Sequence, residues 1–254
     1  MKQGDFVWYE LCSADPAAAV EFYARVIGWQ ATETESGVAG IDYRILALGE
    51  RPVAGIIKLP PEQMPPRPVW LGYIAVEDVD AKAAEIAAAG GAIHKPPQDI
   101  PSVGRFAVVL DPQGAVFMLF KGQGQPPPPL AMMQTGSIGW HELHASDWAK
   151  SWSFYERMFG WTKDTALEMG PMGTYQIFKT SDAPCGGMMT DAGSPHPYWV
   201  FYFVVDDIDA GIERVRAGGG KLRSGPQEVP GGAWMINAED PQGGAFAIVG
   251  MRKR

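Results

Sequence analysis

The order of hydrophobic and polar residues at the start of the chain predicts a strand followed by a helix. Residues 6–13 alternate between the two classes, as a strand with one buried face does. Asp15 and Pro16 then begin a helix, because Asp caps helix N-termini well and Pro is favoured at the first helical position. Apolar residues at helical spacing continue to about Ile27, and Gly28 ends the helix, as glycine commonly does.

The remaining pattern of the first half predicts another helix and a series of short strands. The helix spans residues 79–89 and ends at Gly90. The strands lie near residues 29–33, 43–48, 53–59, 69–76, 92–94, 105–110 and 115–121, with a turn at residues 111–114. The order is therefore βαβββ, repeated once. Because three strands joined by short turns follow each helix, an antiparallel α+β arrangement is favoured over a doubly wound parallel sheet.

The second half of the chain repeats the first. Residues 4–29 align with residues 136–161 at an offset of 132, with eleven identities in 26 positions. From Trp70, which aligns with Trp199, the offset is 129, so the first half carries three extra residues in a Pro-rich stretch at residues 59–68. Two tandem domains are predicted. They comprise residues 1–121 and 136–254 and are joined by a Pro-rich linker at residues 122–135.

Composition and charge exclude several classes of function. The net charge is -8, with a basic cluster only at residues 252–254, which argues against a nucleic-acid partner. No apolar run approaches the ~20 residues of a membrane-spanning helix, and the N-terminus has no signal-peptide pattern. Cys12 and Cys185 form no CxxC pair, so we expect a reduced, cytoplasmic protein. We expect it to be a monomer or a homodimer. Sequence motifs for phosphate loops, nucleophile elbows and zinc cysteine pairs are absent.

Three motifs occur in the same order in each half. They are an Asp followed by F-Y-x-x-x-x-G-W at residues 15–29 and 147–161, V-x-D-V-D or V-D-D-I-D at residues 76–80 and 205–209, and D-P-Q-G at residues 111–114 and 240–243. Together they resemble the vicinal oxygen chelate superfamily, which includes glyoxalase I, extradiol dioxygenases and bleomycin-resistance proteins. The resemblance covers the chain except its linker. It implies that four βαβββ modules form two tandem glyoxalase-like domains, two modules in each. Their sheets should be curved, mixed or antiparallel, and should surround cup-shaped cavities.

The resemblance also implies a metal held by His and Glu side chains, but this sequence departs from that pattern. The positions that should hold the ligands are occupied by Trp8, Trp140, Leu71, Val200, Met118 and Ala247. None of these side chains binds a hard or borderline divalent cation, apart from weak binding by the Met thioether. We therefore expect no standard metal site. The cofactor stays open, either none or a divalent metal held elsewhere.

The first strand of each half places a Glu beside a Trp. Residues two and four apart on a strand share one face. The aligned residues are Trp8, Glu10 and Cys12 in the first half and Trp140, Glu142 and His144 in the second. A buried carboxylate on such a face is either a structural group, paired with backbone or with Arg25 or Arg157, or a candidate general acid or base. Glu10, Glu142 and His144 are the candidate catalytic residues.

Glu142 and His144 are also the candidate ligands if a metal binds, because Cα atoms two apart on a strand lie ~6.5–7 Å from one another. The text His141-Glu142-Leu143-His144 resembles a zinc helix motif, but that motif needs its histidines at i and i+4 on a helix. The repeat instead indicates a strand, so His141 points away from His144. His94 and His196 are expected at the surface.

Aromatic residues are the remaining candidates for contact with a ligand. The expected lining residues are Trp8, Trp140, Tyr43, Tyr175, Tyr73 and Tyr202, with core packing as the alternative for the tyrosines. We therefore predict a protein of the glyoxalase and bleomycin-resistance type that binds a small molecule without the standard metal. The alternative is a lyase or dioxygenase-type enzyme that uses Glu142 and His144, either with a non-standard divalent metal or as a metal-free acid and base. The sequence does not identify the ligand.

Overall fold

The computed structural model describes residues 2–32, 41–124, 130–131 and 133–253. Within these ranges no helix is both long and apolar enough to cross a membrane. Glu33, at the end of the first predicted strand after the helix, and residues 125–129 and 132 of the predicted linker lie outside the described residues. The domain boundaries at residues 121 and 136 therefore stay a prediction.

The first half forms one eight-stranded mixed sheet and two helices. Its strands are β1 (Phe6–Cys12), β2 (Gln30–Thr32), β3 (Asp42–Leu48), β4 (Arg51–Lys58), β5 (Val69–Ala75), β6 (Ala92–Ile100), β7 (Gly104–Leu110) and β8 (Val116–Gly122). Its helices are α1 (Pro16–Ile27) and α2 (Val79–Ala88). The strand order is β2-β3-β4-β1-β5-β8-β7-β6, in which β1 is parallel to β4 and β5 is parallel to β8.

The second half has the same topology. Its strands are β9 (Ile138–Ala145), β10 (Thr162–Glu168), β11 (Thr174–Lys179), β12 (Pro184–Thr190), β13 (Tyr198–Val204), β14 (Lys221–Glu228), β15 (Ala233–Glu239) and β16 (Ala245–Met251). Its helices are α3 (Trp148–Phe159) and α4 (Ile208–Ala217). The sheet order is β10-β11-β12-β9-β13-β16-β15-β14. The predicted α+β fold of four βαβββ modules is confirmed.

One strand is longer than the sequence pattern suggests. The prediction ended the sixth strand near His94, because Pro96 and Pro97 follow it, but β6 continues to Ile100. It is an edge strand, and its pairing with β7 shifts register on either side of Lys95. Proline lacks a backbone N–H group, and an edge strand with an irregular ladder tolerates that loss.

The chain divides into two compact units, and each unit draws on both halves. The first comprises Met1–Trp8, Leu71–Pro128 and Trp140–Trp199, and the second comprises Tyr9–Trp70, Pro129–Gly139 and Val200–Arg254. Each sheet, by contrast, takes all its strands from one half. The hydrophobic cores therefore combine modules from different halves, whereas the backbone ladders do not.

A tyrosine and an aspartate from opposite halves meet in the core of each unit. In the second unit, the Tyr23 hydroxyl donates to Asp240 Oδ2 at 3.1 Å and accepts from Trp70 Nε1 at 2.9 Å. In the first unit, Tyr155 donates to Asp111 Oδ2 at 3.2 Å. Both aspartates are the first residue of a D-P-Q-G turn. Each of these turns therefore joins two strands and also accepts a hydrogen bond from a helix of the other half.

The glutamine of each D-P-Q-G turn strengthens the same connection. Gln242 accepts from the backbone N–H of Asp15 and donates to its carbonyl, each at 3.0 Å, at the start of α1. Gln113 makes the equivalent pair with Asp147 at the start of α3, at 2.7 and 2.8 Å. Because helix N-termini leave backbone groups without intrahelical partners, each glutamine satisfies a helix of the other half.

Candidate functional site

Strand β9 presents two histidines to opposite faces. His141 is buried, its Nδ1 lies 2.7 Å from the carbonyl oxygen of Cys185, and its ring stacks on Phe6 with centroids 4.2 Å apart. His144 instead bonds Glu142 on the same face as Trp140. The alternation predicted for this strand therefore separates a histidine that packs in the core from a histidine in a polar cluster.

Tyr175 connects Glu142 to Trp140. The Tyr175 hydroxyl donates to Glu142 Oε2 at 2.7 Å and accepts from Trp140 Nε1, also at 2.7 Å. Tyr175 reaches this position by lying over Gly187, which pairs with Glu142 across the parallel ladder of β9 and β12. A Cβ atom at Gly187 would lie 2.2 Å from the Tyr175 ring, so only glycine leaves room for it.

His144 lies between two carboxylates. Its Nε2 is 2.8 Å from Glu142 Oε1, and its Nδ1 is 3.1 Å from Asp191 Oδ2. Tyr198 stacks on the imidazole with centroids 4.6 Å apart and donates its hydroxyl to Asp191 Oδ2 at 3.4 Å. Because carboxylates are acceptors, an imidazole donates to both of them only when both its nitrogens carry a proton. The geometry therefore fits an imidazolium.

The charges of the cluster support this protonation state. Burial alone would lower the pKa of His144, but hydrogen bonds and charge from Glu142 and Asp191 outweigh burial and raise it. For a carboxyl group the effect of burial has the opposite sign, so burial alone would raise the pKa of Asp191. The hydrogen bonds from His144 and from the backbone N–H of Gly193 outweigh burial and lower the pKa below its ordinary value. Burial and nearby carboxylates raise the pKa of Tyr198 to about 12 and that of Tyr175 well above its ordinary value. Both tyrosines are therefore neutral donors at neutral pH.

The site remains partly open to solvent. The side chains of His144 and Glu142 are 13% and 10% exposed, and that of Asp191 is 26% exposed. Trp140, Tyr175 and Tyr198 are each half-buried. Aromatic surface and polar groups are therefore both partly exposed to solvent here.

The first half keeps part of this arrangement. Glu10 is buried and pairs with Gly55 across the ladder of β1 and β4, as Glu142 pairs with Gly187. A Cβ atom at Gly55 would lie 2.1 Å from the Tyr43 hydroxyl oxygen, so the tyrosine also lies over a glycine there. The position of His144 is held by Cys12 in the first half. The Trp, Tyr, Glu and Gly positions are thus common to both halves, whereas the histidine is not.

The residues present do not fit the metal site that the resemblance implies. The side chains of Trp140, Val200 and Ala247 offer no lone pair to a divalent cation, nor do those of Trp8 and Leu71. Met118 offers a thioether and is buried. Among the described residues, groups of three or more His, Cys, Asp or Glu that could hold a metal do not occur. At Glu142 and His144, both imidazole nitrogens already face carboxylates.

Two members of the site were not found by sequence reasoning. Asp191 follows the end of β12, and Tyr198 begins β13, both far from β9 in sequence. The sequence could have indicated Asp191, because an acidic residue directly after a buried strand lies at the end of a sheet, where it can face other polar groups. Of the other residues considered, His94 and His196 are exposed, as predicted, and Tyr73 and Tyr202 are buried.

Gly187 offers a direct test of how the site is built. Gly187→Ala is expected to displace Tyr175 from Glu142 and to cost ~1–2 kcal/mol of unfolding free energy, since overpacking a tight contact is destabilising. Urea denaturation measures this, and Gly187→Ala should cost much less in a Tyr175→Ala background, where the ring that it meets is absent. Equal stability of Gly187→Ala and wild type would contradict the close approach. Asp182→Asn, at an exposed position of the same half, serves as the control.

Comparison with curated proteins gives relatives over nearly the whole chain. "Putative glyoxylase CFP32" of Mycobacterium tuberculosis is 33% identical over 253 residues, covering 98% of this chain and 95% of the relative. "Anthracycline biosynthesis protein DauV" of Streptomyces sp. strain C5 is 29% identical, covering 97% of this chain and 93% of the relative.

Solved structures share the fold at low sequence identity. The Mn(II)-bound glyoxalase from Novosphingobium aromaticivorans has a TM-score of 0.64 at 18% identity, covering 99% of this chain and 83% of its own. The 2,3-dioxygenase LapB from Pseudomonas sp. KL28 has a TM-score of 0.66 at 12% identity, covering 100% and 94%. The family model of the Glyoxalase/Bleomycin resistance protein/Dioxygenase superfamily matches residues 5–119 and 137–248. The chain belongs to this superfamily, as the repeated motifs indicated.

Proposed function

We propose that this protein binds a small molecule at the Glu142–His144 cluster of its second half, without the divalent metal implied by the resemblance. The bonding of His144 carries this proposal. A metal-binding histidine offers the lone pair of one ring nitrogen, but both nitrogens of His144 face carboxylate oxygens at hydrogen-bond distance. The cluster is thus satisfied by protein groups, and Trp140, Tyr175 and Tyr198 supply the aromatic surface that ligand sites commonly have.

The second candidate function is metal-free acid–base catalysis at the same residues. The observation that favours it is the raised pKa of His144, which keeps a protonated imidazole in contact with the Glu142 carboxylate. Such a pair can protonate an oxygen of a bound molecule by way of Glu142, whose carboxylate takes the proton from His144 Nε2 and passes it on, leaving a neutral imidazole and an ionised Glu142. The name of the mycobacterial relative suggests a glyoxylase, and lyase activity is therefore the first to assay.

The remaining sequence-derived candidates are proposed with this function. Trp8, Glu10 and Tyr43 are proposed for a corresponding site of the first half, and Tyr73 and Tyr202 are proposed as lining residues. We also propose a cytoplasmic location, which the presence of only two cysteines in the sequence supports, and a monomer or homodimer without nucleic-acid or membrane partners.

A ligand screen with matched variants tests the proposal. We expect at least one compound from a panel of small aromatic and aldehyde molecules to raise the melting temperature of wild type and not that of Glu142→Ala or His144→Ala. A ligand at 100 times its Kd adds ~2.7 kcal/mol of stability. Asp182→Asn, at an exposed position of the same half, should respond as wild type does.

Metal analysis and activity assays separate the two candidates. Protein purified without chelators should carry less than one divalent metal per chain, and His144→Ala should not change that content. Turnover of methylglyoxal by metal-free protein, abolished by His144→Ala, would establish metal-free acid–base catalysis. A stoichiometric metal lost in both variants, or the absence of any stabilising compound, would overturn the proposal.

A further inference from the structure

His144 is held from three directions within the first compact unit. Asp191 faces Nδ1, Glu142 faces Nε2, and the ring of Tyr198 lies against its face with an interplanar angle of 10°. The groups that face the imidazole therefore come from β9, from the segment after β12 and from β13. Rotation of the ring would break both hydrogen bonds and the stacking together.

Asp191 is itself fixed by its backbone surroundings. Its Oδ1 accepts from the backbone N–H of Gly193 at 3.0 Å, and its own N–H donates to the Ala145 carbonyl at 2.8 Å, at the end of β9. One oxygen is thus bound by a turn, and the other is directed at His144. The carboxylate is oriented before any ligand arrives, which is how supporting residues usually fix a functional histidine.

Comparison of the two halves shows that these residues, unlike the rest of the site, occur only in the second half. Where the second half has His144, Asp191 and Tyr198, the first half has Cys12, Leu59 directly after β4, and Val69 at the start of β5. All three polar groups are replaced together. The first half nevertheless forms the same eight-stranded sheet. The fold therefore does not require this set.

A set that the fold does not require still costs free energy to maintain. Charged groups taken out of water lose hydration, and the attraction between them repays that loss only in part. In the first half, apolar or weakly polar side chains avoid this cost at the same positions. The second half has the charged set although the fold does not require it. We therefore attribute the presence of this set to a function of His144 and not to stability.

We propose that Asp191 and Tyr198 are positioning residues that hold His144 with its Nε2–H directed at Glu142, and that they assign proton transfer to the second half. This inference rests on the second candidate function, metal-free acid–base catalysis, and deepens it. Glu142 and His144 are the groups that would meet the bound molecule. Asp191 and Tyr198 act through His144, and the first half is left with a carboxylate and a tyrosine at a site for binding alone.

Titration of the His144 ring by nuclear magnetic resonance tests this inference without a ligand. The chain has four histidines, and His144→Gln identifies the resonance. We expect Asp191→Asn to lower the titration midpoint of His144 by about one pH unit, as loss of an adjacent opposite charge does. The ¹⁵N shifts should then report a larger neutral fraction of the ring than in wild type at the same pH. Asp191→Glu should restore part of the midpoint, and Tyr198→Phe should shift it less than Asp191→Asn.

The outcomes distinguish positioning from a structural role. Asp182→Asn, at an exposed position, should leave the His144 titration unchanged. A folded Asp191→Asn protein with an unchanged midpoint and unchanged ¹⁵N shifts would overturn the inference. If Asp191→Asn does not fold, Asp191→Glu and Tyr198→Phe carry the test, and wild-type midpoints in both would overturn it. Failure of the ligand screen would remove the proposed function and leave these ring measurements as they are.

Discussion

A protein consisting of residues 1–121 alone is expected to be unfolded, and so is one consisting of residues 136–254. The reason is the exchange of core residues between the halves. Tyr23 and Trp29 are fully buried, and their neighbours in the second unit include Phe203 and Phe246 from the other half. Removing the second half exposes these rings and leaves the Tyr23 hydroxyl without Asp240.

The expected loss is comparable to the whole stability of a domain. Burial of a large apolar side chain contributes ~1.5–3 kcal/mol. Phe22, Tyr23, Trp29 and Trp70 all contact Phe203 or Phe246, and the list of lost contacts includes the bonds of Gln242. The sum approaches the ~5–15 kcal/mol that usually separates folded from unfolded protein.

Circular dichroism, tryptophan fluorescence and urea denaturation of the separate halves measure this effect. Production of both halves in one cell is the matched control, because it restores the contacts between residues 1–121 and residues 136–254. We expect the pair to co-purify with a cooperative unfolding transition. A cooperative transition in either half alone would show that its sheet suffices and would contradict the expectation.

The elements of this fold were predictable because their signals are local. Asp15, Pro16 and Gly28 mark the ends of α1, and the structure begins and ends that helix where they indicate. The D-P-Q-G turns were recognised as turns for the same reason. Their second role was not predictable, since a turn motif does not specify which helix its Asp and Gln will meet. That depends on how modules from different halves pack.

The candidate site divides in the same way. Trp140, Glu142 and His144 could be grouped because spacing along one strand places them on one face. Asp191 lies 47 residues from His144, and only the pairing of β9 with β12 brings them together. Tyr175 was selected as an aromatic residue, but its bond to Glu142 depends on the missing side chain of Gly187, which requires the register of the ladder.

Acid is expected to destabilise the protein through His141 by about 2 kcal/mol between pH 7 and pH 5. Burial lowers the pKa of His141 to about 4, and the bond to the Cys185 carbonyl offsets only part of this. An unfolded histidine has a pKa of ~6.5, so the unfolded state takes up a proton in this interval and the folded state does not. Stability is therefore complete above the unfolded pKa and falls as the pH decreases toward 4.

His144 has the opposite sign, which makes the two histidines of β9 separable. Its raised pKa gives a contribution that is complete below the unfolded value and is lost as the pH rises through the folded value. Urea denaturation of His141→Gln should therefore show a flatter pH dependence below pH 7 than wild type, whatever its absolute stability. His144→Gln should instead flatten the dependence above the unfolded pKa, and His196→Gln, at an exposed position, should change neither. An unaltered acid slope in His141→Gln would mean that the buried ring accepts a proton in the folded state. In that case its contact with Phe6 could not be that of a neutral core residue.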